Sequence, residues 1–211
     1  MSDYPSDIHT EKADIDPDTL ANLGPLRPLA GRWTGNRGLD VNPNIDGSGR
    51  QAYLETIDLK PIDPQSNGPQ LFYGLRYHVH VLKPGDPQTY HDQVGYWLWE
   101  PETELVLLSL TIPRGQAVLA AGRASADATT FEVEARRKAT DYGIISTTFL
   151  EYAFRTDAFR MRVKINSDDT WSYEEETVLK VRGKRAPFIH ADRNHLKRIG
   201  PPEPNPLMRA G

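Results

Sequence analysis

From Trp33 onward, apolar residues recur at every second position rather than every third or fourth. In 71–81, Leu71, Tyr73, Leu75, Tyr77, Val79 and Val81 share one face, and Phe72, Gly74, Arg76, His78 and His80 the other. In 105–112, Leu105, Leu107, Ser109 and Thr111 oppose Val106, Leu108, Leu110 and Ile112. Phe159, Met161, Val163 and Ile165 alternate with Arg160, Arg162 and Lys164, and the run from Trp171 to Leu179 is again β-rich. Turn-forming clusters separate the runs: Asn42-Pro43-Asn44, Asp46-Gly47-Ser48-Gly49, Ser66-Asn67-Gly68-Pro69, Lys83-Pro84-Gly85-Asp86, Glu100-Pro101-Glu102, Pro113-Arg114-Gly115 and Asn166-Ser167-Asp168-Asp169. Short strands joined by short turns predict an antiparallel meander, and about ten fit between Gly31 and Val181. No helical run is long enough to cross over between parallel strands. Closure of the sheet removes its edges, so the predicted fold is all-β, a single antiparallel β-barrel.

The segment Gly31-Arg32-Trp33-Thr34-Gly35, after a lead-in broken by Pro25 and Pro28, marks the first strand. The barrel domain is placed at 23–199. Residues 1–22 read as a polar N-terminal segment, partly disordered. A short helix is predicted over Asp16–Asn22, with Asp16 as cap, Pro17 at its first position and Gly24-Pro25 as its stop. After Gly183 the alternation stops. Phe188 to Leu196 contains no Gly or Pro and reads either as a final strand or as a turn-flanked segment. Residues 200–211 are expected to be a loose, Pro-rich tail.

Composition narrows the function classes. The chain has 211 residues, which fits one domain. It contains no cysteine, so disulfides, Cys-bound zinc, iron–sulfur clusters and thiol nucleophiles are excluded, and a cytoplasmic location fits. A net charge of −4 argues against a nucleic-acid partner. The stretch to Asp18 lacks the apolar core of a secretory signal, and no apolar run is long enough for a membrane span. Gly-x-Ser-x-Gly, a phosphate-binding Gly loop and His-Glu-x-x-His are all missing, which leaves a hydrolase or a nucleotide-using enzyme without a motif.

A barrel of this size can hold one small ligand, as lipocalins do. Arg76 and His78, with His80, form an anion or metal site if their face is lumenal, and a solvated face under the usual alternation. Trp97 and Trp99 share a face with Gly95 and Gln93, opposite Val94, Tyr96 and Leu98. Both faces are apolar, which predicts a strand covered on both sides, its tryptophans serving as core or as a ligand wall. Arg114, in a tight turn after an apolar strand, is placed to reach the barrel mouth and pair with a carboxylate. His190 and His195 are candidate imidazole ligands for haem iron, and Asp192 is positioned to tie His190 down by hydrogen bonding.

Leu29-Ala30-Gly31-Arg32-Trp33-Thr34-Gly35 resembles the Gly-x-Trp-x-Gly-x-Gly opening of the nitrobindin family, small β-barrels shaped like fatty-acid-binding proteins. The run from Val94 to Pro101 and the run from Leu110 to Gln116 are similar to the middle of a bacterial branch of that family, and Phe188 to Leu196 to its C-terminal signature. At the third Gly of the opening this chain has Arg37, with Gly38 one place later. Where family members carry Tyr-Pro-Thr, it has Asn42-Pro43-Asn44. The resemblance implies haem b held in the barrel, with nitric oxide binding and isomerisation of peroxynitrite to nitrate as the iron's chemistry. It assigns the iron to His190 by the branch signature and to His195 by the local His-Leu pattern, with Trp33 and Arg114 as further cofactor contacts. Two other readings accompany it. One is a non-enzymatic carrier of a fatty acid or other small apolar ligand, held through Arg76 or Arg114. The other is a barrel filled by its own side chains, acting through a surface or a homodimer interface.

Overall fold

The computed structural model describes residues 5–45, 47–166 and 169–210. The turns predicted at Asp46 and at Ser167-Asp168 fall partly outside the described residues. The strands are β1 (Gly31–Asn44), β2 (Gly47–Pro61), β3 (Gln65–Asn67), β4 (Gln70–Leu82), β5 (Thr89–Glu100), β6 (Leu105–Ile112), β7 (Gln116–Arg123), β8 (Thr130–Arg137), β9 (Gly143–Ser146), β10 (Phe154–Ile165), β11 (Thr170–Val181) and β12 (Phe188–Gly200). Two short helices follow β9 and β12: α1 (Thr148–Ala153) and α2 (Pro206–Arg209).

Each long strand pairs antiparallel with the next, β2 pairs with β4, and β12 returns to β1, so the sheet closes on itself. Ten long strands make the wall, as the alternation predicts. The short β3 only extends β4. β7 and β8 meet at the single pair Ala121↔Glu134 before diverging, and β9 fills the gap, antiparallel to β7 and parallel to β8. The strand β12 resolves the ambiguous segment after Gly183, where inward positions His190, Asp192 and Asn194 are polar and leave no apolar alternation to detect.

One end of the barrel is sealed. The short helix forms over Gly24–Leu29 as a 3-10 helix rather than over Asp16–Asn22, where the chain only turns. Its bonds run three residues back, from Leu26 N–H to the Leu23 carbonyl and from Ala30 N–H to that of Arg27, so Pro25 and Pro28 fall where no N–H is required. Leu23, Leu26 and Leu29 are fully buried beneath it. Gly24, at φ +52°, lies against the Trp99 ring, where a Cβ would sit 2.7 Å from the indole. Trp33 Nε1 donates to the Leu29 carbonyl at 2.7 Å, and the Arg198 guanidinium stacks 4.1 Å above the Trp33 ring. In the tail, Asn205 is buried: its side chain accepts from Thr19 N–H and donates to the Pro17 carbonyl and to Asp63, so the chain is anchored there.

Candidate functional site: the barrel lumen

The wall facing the polar side of the lumen depends on an irregularity in β1. Trp33 and Gly35 face inward, then Asn36 and Arg37 are both exposed, and Gly38 and Asp40 are buried again. The register to β2 shifts between Gly35 and Gly38. This β-bulge resets the alternation by one residue and so turns Asp40 inward. The glycines are needed for a second reason. A Cβ at Gly35 would sit 2.3 Å from the Asn194 amide, and one at Gly38 would sit 2.1 Å from the Tyr53 ring.

The lumen is a cavity of about 510 Å³, so the barrel is not filled by its own side chains. Its wall from β4 to β10 is largely apolar, with Val79, Val81, Leu110, Val118, Phe159 and Met161. The opposite wall, from β1, β2, β11 and β12, is polar. There Tyr53 donates to Asp192, Tyr173 donates to Glu55 at 3.1 Å, and the two tyrosine hydroxyls lie 2.8 Å apart. Asn194 Nδ2 also donates to Glu55 at 2.8 Å. The chain Asp192–Tyr53–Tyr173–Glu55 has three links and two hydroxyl protons. A third proton, from one of the carboxyls, completes it.

Electrostatics agree with that count. Burial, with added repulsion from Asp192, pushes Glu55 up to about 8 against the bonds from Asn194 and Tyr173. Glu175 is pushed up to about 8 by burial and by the charges of Asp192, Glu55 and Asp40. Asp192 rises to about 6, mainly by burial. The Tyr53 and Tyr173 hydroxyls are held well above the usual phenol range, first by burial and then by these carboxylates.

At the mouth, His190 Nε2 lies 2.7 Å from Asp40 Oδ1. The other Asp40 oxygen accepts from Tyr90 at 2.5 Å and from Asn42 Nδ2 at 2.9 Å. Burial alone would raise the Asp40 carboxyl, but the bonds from His190, Tyr90 and Asn42 hold it below the usual carboxylate range. His91 also lines the cavity, and burial lowers its imidazole. Arg114 is exposed at the rim and has no carboxylate partner among the described residues. α1, capped by Thr147, overhangs the opening with Phe149 and Leu150.

The structure therefore brings His190, Arg114 and Trp97 to the lumen. The other sequence candidates lie elsewhere. Arg76 and His78 project outward into an open groove, and His78 Nε2 meets Asp92 at 2.8 Å. Trp33 and Trp99 pack into the sealed end and leave the cavity lining to others. His195, five residues from His190, falls on the outer face by strand parity and bonds Ser172 Oγ at 3.0 Å. The tie on His190 comes from Asp40, across the sheet, and not from Asp192, which is engaged with Tyr53. β5 is covered on one side only: Val94 and Tyr96 are exposed. Sequence reasoning missed Asp40, Glu55 and Glu175, and the one available signal was their strand parity. Among the described residues no group of three His, Asp or Glu side chains is arranged to hold a bare metal ion, and no helix is long and apolar enough to cross a membrane.

No curated protein matches the chain. The crystal structure of Rv2717c from M. tuberculosis aligns with a TM-score of 0.60 and 24% identity, over 88% of this chain and 99% of that one, which shows a shared fold. The family model for the THAP4-like, heme-binding beta-barrel domain matches residues 22–198, nearly the whole span from the 3-10 helix to the end of β12. The match spans most of the chain and agrees with the closed barrel, and the chain belongs to this nitrobindin family of haem-binding β-barrel domains.

Proposed function

We propose that the lumen binds one small, largely apolar ligand, and that this ligand is haem b. The observation that carries the reading is the His190–Asp40 pair at the mouth of a cavity of about 510 Å³. Cavities of roughly 300–1,000 Å³ accept single cofactor-sized ligands. A metal-binding histidine commonly gives its other ring N–H to a carboxylate, which fixes the ring and raises its basicity. Asp40 would take that role here: it holds the ring through Nε2, which would leave Nδ1 as the nitrogen free to ligate iron. The donor set fits the group. The apolar wall suits a macrocycle, and the Arg114 fork at the rim, without a carboxylate partner among the described residues, suits a propionate.

Bound haem would supply the redox and oxyanion chemistry, including nitric oxide binding and peroxynitrite isomerisation. The chain's own residues hold and orient. His190 would hold the group, Asp40 fixes the imidazole, Arg114 would pair with a propionate, and Phe149 and Leu150 would limit water at the mouth. The fatty-acid reading loses one of its two anchors, because Arg76 lies outside the barrel; Arg114 at the rim stays open to a carboxylate, whereas a head placed deeper in the lumen would meet Glu55, Glu175 and Asp192.

Titration of the ligand-free protein with hemin tests the proposal. The expected result is a Soret shift that saturates at one equivalent and is lost in His190→Ala. No shift in the wild type overturns haem binding, and an unchanged shift in His190→Ala overturns the assignment of His190.

A further inference from the structure

Up-and-down strands sort the connections of the barrel into two sets of opposite sign. At the sealed end the turns carry Glu102, Glu104, Asp127 and Asp169, and the N-terminal segment, held there by Tyr73 on the Asp16 carbonyl, adds Asp16 and Asp18. Lys12 and Arg198 at that end are already paired, with Glu102 and Asp169. At the mouth, Arg114 stands on the β6–β7 turn, and Arg182, Lys184 and Arg185 on the β11–β12 loop, all exposed and without a carboxylate partner among the described residues. Of the nearby acids, Glu151 on α1 is bonded to Arg137, Asp86 shares its turn with Lys83, and Asp46 lies outside the described residues. The same rim exposes large apolar side chains. Ile45 on the β1–β2 turn is 88% exposed, and Phe149 and Tyr152 on α1 are 63% and 59% exposed. Cations and apolar groups form one arc. Lys184 Nζ donates to the Ile45 carbonyl at 3.1 Å, and the Arg182 guanidinium stacks 3.9 Å over the Tyr152 ring. Lys180 bonds the Lys184 and Arg185 carbonyls and fixes the loop between them. Exposed apolar side chains set among unpaired cations call for a partner that offers anions and hydrocarbon together.

We propose that the mouth of the barrel docks on an anionic lipid bilayer, with Arg182, Lys184 and Arg185 at the headgroups and Ile45 and Phe149 in the interface. The charge asymmetry orients the approach, since the surface that attracts the rim repels the acidic sealed end. Tyr152 suits the interface, as an amphipathic ring beside a guanidinium. A nucleic acid would meet the cations and leave Ile45 and Phe149 uncovered. An acidic protein would need a groove for its own side chains, whereas these apolar groups project from separate connections. The inference goes beyond the haem reading and does not require it. A lumen that opens against hydrocarbon lets an apolar ligand pass between cavity and bilayer without crossing water.

Co-sedimentation of the full chain with vesicles tests this, using pure phosphatidylcholine and an equal mixture of phosphatidylcholine and phosphatidylglycerol. Binding is expected to the mixed vesicles alone, and to weaken as salt screens the headgroups. A basic residue near an anionic surface is worth about fivefold in affinity, so Lys184→Glu/Arg185→Glu is expected to weaken binding at least ~20-fold. Lys60→Glu/Arg76→Glu makes the same change of net charge on the outer wall and is expected to stay within about threefold of wild type. Phe149→Ser is expected to weaken binding ~5-fold through lost apolar burial. Equal binding to both vesicles, or to neither, overturns the inference. So does an equal loss in the two charge-reversal variants, which would assign the effect to net charge and not to the mouth. Full affinity in Phe149→Ser overturns it as well, because a purely ionic contact does not select a bilayer over an acidic protein. If circular dichroism shows that Lys184→Glu/Arg185→Glu is unfolded, Lys184→Gln/Arg185→Gln replaces it, with an expected loss of ~10-fold. These readouts involve no hemin, so a missing Soret shift and missing vesicle binding are separate failures.

Discussion

Burial raises Glu55 and Glu175 to about 8 in the folded chain, whereas an unfolded Glu titrates near ~4.3. Between those values the folded state holds more protons than the unfolded state. Stability is therefore greatest at the acidic side of the window and falls as pH rises toward 8. Melting temperature of the ligand-free protein is expected to drop by several degrees between pH 5.5 and 8.5, and Glu175→Gln is expected to flatten the slope. A wild-type melting temperature that stays level or climbs across that range would refute the raised carboxyls. Asp40 acts in the opposite direction: its lowered pKa contributes stability that is lost as acid protonates it. These carboxyls were hidden in the sequence. Glu174, Glu175 and Glu176 stand in a row, and charged residues on a strand ordinarily face water, so only parity with Trp171 and Tyr173 marks Glu175 as the one that turns inward. His190 is visible because imidazole chemistry and the branch signature single it out, and the parity of β12 places it at the lumen while His195 faces outward.

The elements follow the sequence where their buried face is apolar and depart from it where that face is polar. Alternation in 71–81 and 159–165 reads directly as β4 and β10. It fails at β12 because three successive inward positions are His190, Asp192 and Asn194. It also fails to show the bulge in β1, since Asn36-Arg37 looks like an ordinary polar pair although it sets the phase of everything after it. The Gly38 that departs from the family's spacing is the first inward residue past this bulge. Gly38→Ala tests the account at the element's own scale. Its Cβ would meet the Tyr53 ring at 2.1 Å, and overpacking of this kind costs about 1–3 kcal/mol. Chemical denaturation should show that loss, and Tyr53 should shift away from Asp192. Full stability in the variant would mean that the ring moves freely and that the polar wall is less rigid than its bonds suggest.

Across the whole molecule, the two ends of the chain are joined at one point. Asn205, buried near the C-terminus, bonds Thr19 and Pro17 near the N-terminus and Asp63 just after β2. Loss of buried hydrogen bonds costs about 1–3 kcal/mol. For a chain of this size each kcal/mol moves the melting temperature by roughly 2–4 °C. Asn205→Ala should therefore melt several degrees lower while hemin titration is unchanged, because the lumen lies elsewhere. A melting temperature equal to wild type would show that this tie does not stabilise the barrel.

The 3-10 helix that seals the far end would also govern traffic, if the lumen is occupied as proposed. With Leu23, Leu26 and Leu29 packed beneath it and α1 at the other end, the lumen is closed, among the described residues, on the helix side and is reached past α1. Two occupants cannot pass each other in such a vessel. A challenger waits until the resident leaves, so the speed of replacement is set by departure and not by how much challenger is supplied. A molecule bound as proposed would then be held for a time set at the rim, where Arg114, Phe149 and Leu150 stand, even when a tighter competitor is abundant outside.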